Sequence, residues 1–195
     1  MKKGEATRAR IIDETGRQAA IKGFGAVSLG DVAEAVGLSK SGLFKHFDSK
    51  EDMELATLDA GFDRFIAFVW DPADDLPPGR PRLESVFERW LDWTEVENAA
   101  GGCLIMAAST ELDDQPGPMR DLLQVRVRKW RQRLAGEMKA LREPPMSDAE
   151  AQGVVFQMKS FILGHSELRR LLDDTGARAA ARAAFDSLMD RTQQI

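Results

Sequence analysis

The segment that leaves this chain the fewest folding options runs from Leu29 to Phe47, LGDVAEAVGLSKSGLFKHF. Val32, Ala33 and Val36 share one face of a short helix, and Leu38, Leu43 and Phe47 share one face of the next. Two helices that meet across a tight turn need a small residue where they cross. They also need a turn residue that tolerates positive φ. Ala33 and Gly37 fill these two places. Val32, Val36, Leu38, Leu43 and Phe47 can then hold the pair against a third helix. The residues this packing does not use are Ser39, Lys40, Ser41, Gly42, Phe44, Lys45 and His46. At 1.5 Å per residue the second helix is about 12 Å long, comparable to the width of the B-DNA major groove. The packing demands are met and a polar, basic face is left free.

That face belongs to an acidic chain. The formal net charge is −5, yet residues 1–50 hold nine lysines and arginines against six acids, and the remainder holds 18 against 26. A basic module on an acidic body lets DNA meet one face while the rest discourages non-specific adhesion. With 43% hydrophobic and 30% charged residues, the 195-residue chain is expected to fold. The single cysteine, Cys103, excludes an intramolecular disulfide and points to a reducing, cytoplasmic setting. The N-terminal MKKGEATRAR is basic without an apolar core behind it, so it does not match a secretory signal. The longest apolar runs, such as FIAFVW and CLIMAA, fall far short of membrane-spanning length, and no membrane partner is expected.

The fold class expected is all-α. Alternating β-branched runs and tyrosine are absent, while Ala, Leu, Arg, Glu and Met recur at helical spacing. Prolines and glycines cluster at 71–82, 113–118 and 142–148, which are the expected loops. A first helix follows Thr7 to about Lys22, with Ile11, Ile12, Thr15 and Ala19 as its inner stripe. Ser28 with Asp31 resembles a capping box and opens a short helix to about Val36. Ser39 caps a third helix through His46, and Asp48 or Ser49 caps a fourth. Longer helices are expected at 49–69, 82–98, 102–111, 117–141, 147–173 and 177–192. Val154, Met158, Phe161, His165, Leu168 and Leu172 form a heptad-like seam, and Ala177, Ala181, Ala184 and Leu188 a small-residue stripe. An isolated bundle accounts for both, as does a pair of helices meeting its copy; self-association is the preferred choice.

Residues 7–54 resemble the DNA-binding domain of the TetR family of bacterial transcriptional regulators. The resemblance rests on the KGF turn, the serine before the second helix, VAEAVGLSKSGLFKHF and SKE, matched in order and spacing. It implies a three-helix helix-turn-helix domain over residues 1–50 and a helical effector-binding and dimerisation domain over 51–195. It also implies roles for individual residues. Lys40 and Ser41 lie early on the recognition helix, where they would meet base edges. Ser39 would cap that helix and meet phosphate. Phe44, Lys45 and His46 would flank the groove, with Gly42 between. Ser28 and Lys50 would hold further phosphates. Phe44 departs from the pattern, since the family usually has tyrosine there, and the hydroxyl that would reach a phosphate is lost.

The segment GGCLIMAASTELDDQPGPMRDLL resembles one C-terminal type found in such regulators. A dimer would place two recognition helices about one DNA turn apart on a near-palindrome, and an effector favouring another spacing would release it. The expected partners are therefore double-stranded operator DNA, a second copy of the chain and a largely hydrophobic small molecule, with no cofactor and no metal. Candidate effector-contacting residues are Phe62, Phe65, Phe68, Trp90, Trp93, Met106, Trp130, Met158 and Phe161, against an ordinary core role. Candidate dimer contacts are Val154, Met158, Phe161, His165, Leu168, Ala181, Ala184 and Leu188. His165 fits a hydrogen-bonded core or interface residue, and Cys103 a structural one with redox sensing as the alternative. Repression is preferred to activation, and no enzyme is expected. A small helical enzyme would have to pair Cys103 with a distant base such as His165. A protein-binding adaptor would leave the basic face unexplained.

Overall fold

The computed structural model of the chain describes residues 3–97 and 101–194. The described residues form nine α-helices and no strand. These are α1 (Lys3–Lys22), α2 (Leu29–Ala35), α3 (Lys40–Leu43), α4 (Lys50–Val69) and α5 (Arg80–Asp92), then α6 (Leu104–Glu111), α7 (Pro118–Lys139), α8 (Asp148–Leu171) and α9 (Ala177–Gln193). Two compact units result. One takes the chain through Arg64 together with the segment ending at Arg126; the other takes Phe65–Glu97 and everything from Val127 onward. The boundary falls within α4 and α7, a different line from the expected break after residue 50. No helix among the described residues is long and apolar enough to cross a membrane.

In the first unit Ile11, Ile12, Thr15 and Ala19 form the buried stripe of α1. Val32, Ala33, Leu43, Phe47, Met53 and Leu58 are buried with them, and burying each larger apolar side chain contributes about 1.5–3 kcal/mol. Gly37, at φ +71°, turns the chain from α2 into α3, a conformation that costs most other residues strain. The end of α2 is satisfied by two donors. Leu38 N–H reaches the Ala33 carbonyl at 2.8 Å, and the Arg10 guanidinium reaches the Val36 carbonyl at 2.9 Å. Further along, Gly101 lies so close to α1 that a Cβ there would sit 2.6 Å from the Ala20 carbonyl carbon. At the end of α6 the Glu111 carboxylate accepts from the backbone N–H groups of Phe24 at 2.8 Å and Gly25 at 2.6 Å. It thereby closes the turn between α1 and α2.

The second unit is built on α8 and α9 with α5. Phe87 of α5 stacks on Phe185 of α9 with ring centroids 4.1 Å apart. Phe65 meets Trp90, Trp93 and Trp130 edge-on at 5.5, 5.6 and 5.0 Å, and Trp70 and Trp90 also close on Trp130. Beyond Asp92 the helix widens into a π-turn, Trp93–Glu97. This places Thr94 and Glu95 against His165, whose Nδ1 lies 3.3 Å from Thr94 Oγ1 and Nε2 2.8 Å from Glu95 Oε1. Arg178 of α9 pairs with Glu88, Asp92 and Glu95, and Arg182 with Glu88 and Asp186.

The structure corrects several expectations. Helix α1 begins at Lys3 rather than after Thr7. Helix α3 ends at Leu43, because Lys45 and His46 bond back three residues and the chain tightens before burying Phe47. The expected 82–98 helix becomes α5 and the π-turn, and residue 98 lies outside the described residues. Ser28 caps α2, but the Asp31 carboxylate turns to Lys22 at 2.9 Å instead of returning to Ser28 N–H. The seam of α8 faces inward: Val154, Met158, His165, Ala181 and Leu188 are all buried within the chain, Met158 completely. Phe161, Leu168 and Ala184 keep partial exposure, and Leu172, the last member of the expected seam, is exposed.

Candidate nucleic-acid interface

The outer face of α2 and α3 follows from how their ends are capped. Ser39 Oγ accepts from the Gly42 N–H at 3.1 Å and starts α3, and Ser41 Oγ lies 3.0 Å from it. Ser28 Oγ likewise accepts from the Asp31 N–H at 3.0 Å. A cap uses only a lone pair of the hydroxyl; the Ser28 hydrogen is shared with the Asp31 carboxylate, and Ser39 and Ser41 share one hydrogen between them. Leu43 and Phe47 face the core, which turns Lys40, Ser41, Phe44 and Lys45 out to solvent. Phe44 is 47% exposed, a large cost for a ring unless it has something to lie against. His46 and Gly42 are half-buried.

Lys40 does not simply extend into solvent. Its stem runs over Gly30, where a Cβ would come within 3.1 Å of Lys40 Cε, 3.5 Å of its Nζ and 3.6 Å of Ser28 Oγ. A glycine at position 30 thus lets the ammonium and the Ser28 hydroxyl converge at the start of α2. Beside them Lys22 holds Asp31, and this ion pair, with the Ser28 hydroxyl, keeps the Asp31 carboxyl below its usual range. Lys50 opens α4 after the Ser49 cap, with its Nζ 3.3 Å from Glu54 Oε1. Arg8 lies over the Phe47 ring at 4.6 Å.

Ser28 and Lys40 are therefore brought to one corner, and Ser39, Ser41 and Gly42 to one turn. Lys50 is met by a carboxylate on its own helix. Gly30, Asp31's partner Lys22, and Glu54 join the site only in the structure. The Lys50–Glu54 spacing of four on a helix was the signal available for the last.

The expected effector residues divide between the units. Phe65, Trp90, Trp93 and Trp130 form the aromatic cluster of the second, with Phe68 against Trp93 at 5.7 Å. Phe62 and Met106 belong to the first unit, where Phe62 lies under the Arg126 guanidinium at 5.3 Å. Met158 is fully buried, and Phe161 is half-exposed. Within the cluster, the buried indole N–H of Trp130 has no acceptor among the described residues. Cys103 is buried at the start of α6.

Comparison with known proteins accounts for both halves of the chain. A family model described as "Bacterial regulatory proteins, tetR family" matches residues 11–57. Another, "Tetracyclin repressor-like, C-terminal domain", matches residues 79–185. The HTH-type transcriptional activator FasR of Mycolicibacterium smegmatis is 30% identical over 74 residues, 38% of this chain and 34% of its own length. The chain thus spans about a third of that relative. A TetR transcriptional regulator from Chloroflexus aurantiacus has the same fold, with TM-score 0.81 and 21% identity over 100% of this chain and 98% of its own. So does AibR, whose structure contains isovaleryl coenzyme A and operator DNA, with TM-score 0.74 and 18% identity over 94% of this chain and 98% of its own. With matched models covering the helix-turn-helix and most of the remainder, the chain belongs to the TetR family and is a DNA-binding transcription regulator, not an enzyme.

Proposed function

We propose that the protein is a homodimeric, ligand-released repressor that binds a near-palindromic operator. The observation that carries this is the exposed face Lys40, Ser41, Phe44 and Lys45, presented by a helix whose inner side chains are fully committed to packing. In this account residues 1–50 are the DNA-binding module and 51–195 serve the effector and the dimer. Lys40 and Ser41 meet base edges; Lys45, His46, Lys50 and the hydroxyls of Ser28 and Ser39 hold phosphates and set the register. Phe44 packs its ring against sugar or a thymine methyl. The setting is cytoplasmic.

The second copy meets α8 on its outer side, where Phe156 is 68% and Leu163 45% exposed. Seven residues apart, they lie on one face of the helix. The effector is largely hydrophobic and reaches the aromatic cluster, where a ligand acceptor would satisfy the Trp130 N–H. AibR, whose structure contains isovaleryl coenzyme A and operator DNA, supports a small-molecule effector, although only the acyl end of that ligand is apolar.

Activation is the second possibility, favoured by the relative FasR. Selection of bound fragments from the source genome tests the main proposal. A near-palindrome is expected, and its placement in a reporter separates the two readings: transcription falls for a repressor and rises for an activator. Recovery of no preferred fragment by well-folded protein at low salt counts against both.

A further inference from the structure

Lys50 is not free to meet DNA at no cost. Its side chain is 38% exposed and points back along α4 to Glu54, whose own side chain is only 14% exposed. Glu54 lines a cavity of about 190 Å³ with Glu51, Glu111, Phe24, Leu112 and Pro118. The charged groups that face it are Lys50 and Glu51 from its own helix and Glu111 from the end of α6. The two backbone N–H donors of the neighbouring turn are both spent on Glu111. Lys50 is thus the counter-charge of a carboxylate that water reaches poorly.

We propose that Glu54 competes with DNA for Lys50, holding the lysine in the free protein and releasing it to a phosphate by taking up a proton. This rests on the phosphate-anchoring role given to Lys50 above. When the ammonium moves to a phosphate, Glu54 keeps its burial and its two acidic neighbours and loses its one attractive partner. Burial already pushes the Glu54 carboxyl above its usual range, with Glu111 and Glu51 acting in the same direction and Lys50 against them. The phosphates add further negative potential. A proton from solvent then binds the carboxylate, while the lysine stays charged throughout. Because the complex holds more protons than the free protein, affinity rises as pH falls, by up to one proton per subunit.

The experiment measures binding of the full chain to a fluorescein-labelled mixed-sequence DNA duplex between about pH 5 and 8, since phosphate contacts do not depend on sequence. Glu54→Gln is expected to bind about two- to fivefold more tightly per subunit at the upper end of this range. It should also lose the part of the pH slope owed to Glu54. Glu54→Asp, with a shorter reach, should move affinity in the same direction by less. In a Lys50→Ala background the gain from Glu54→Gln should shrink to the local-field effect that Glu51→Gln also gives there. An unchanged affinity and pH slope in Glu54→Gln, with Lys50→Ala still weakening binding, overturns the competition and leaves the phosphate role standing. A gain from Glu54→Gln that survives undiminished in the Lys50→Ala background also overturns it. No change of affinity or salt slope in Lys50→Ala removes the phosphate role itself.

Discussion

Lys40 and Lys45 are five residues apart on the same short segment, and their surroundings suit them to different tasks. Lys40 lies over Gly30, near the Ser28 hydroxyl. Lys45 is exposed beyond the end of α3. Lys40→Ala should relax preference at one position of each half-site, costing about 1–3 kcal/mol of discrimination there. Lys45→Ala should weaken all sequences alike and reduce the salt slope by about one per subunit. Binding of both variants to a panel of operator substitutions distinguishes them, and identical profiles would refute the division of labour. Glu111 carries a different kind of role. Glu111→Ala leaves the covered N–H of Phe24 without its acceptor, while water reaches that of Gly25, and should destabilise the first unit by about 1 kcal/mol, read from urea denaturation. The serine caps could be read directly from sequence because a cap is local, acting over three residues. Glu111 could not, because it lies nearly ninety positions from the turn it closes.

Among elements, α8 shows where sequence periodicity ran out. The spacing of Val154, Met158 and His165 described a helix with one apolar seam, and the seam exists. The same spacing serves a helix meeting α9 of its own chain or a helix of another, and nothing local separates these. The large apolar side chains left outside on α8 are Phe156, Leu163 and, at its end, Leu171, all off the seam. The π-turn after α5 was equally hidden, since its ladder differs from an α-helix by one residue per bond. The start of α8, by contrast, could be read from its serine and the glutamate three residues on. The Ser147 hydroxyl and N–H both donate to Glu150, as does Arg142, and hold its carboxyl down to about 2. A carboxyl with a depressed folded pKa stabilises the protein above the ordinary carboxyl range. That contribution is lost as pH falls towards about 2. Ser147→Ala should return the Glu150 titration, followed by carboxyl NMR, towards its usual range and remove its share of the acid sensitivity. An unmoved Glu150 titration would show that Ser147 does not set it.

For the whole molecule, the account requires two copies acting together. Replacing Phe156 and Leu163 by glutamate should leave helical content and melting close to wild type, since both side chains face outward. In sedimentation equilibrium the variant should be monomeric, and its operator affinity should fall by about a hundredfold through loss of the second half-site. A variant that stays dimeric would move the interface elsewhere. The most direct test of sequence-specific DNA binding is a salt titration of the purified protein on its selected near-palindrome, with a scrambled duplex of the same length alongside. The account predicts steep salt dependence for both duplexes, two chains per selected site, and a preference for that site of about a thousandfold or more at physiological salt. Equal affinity for the two duplexes at every salt concentration would contradict it.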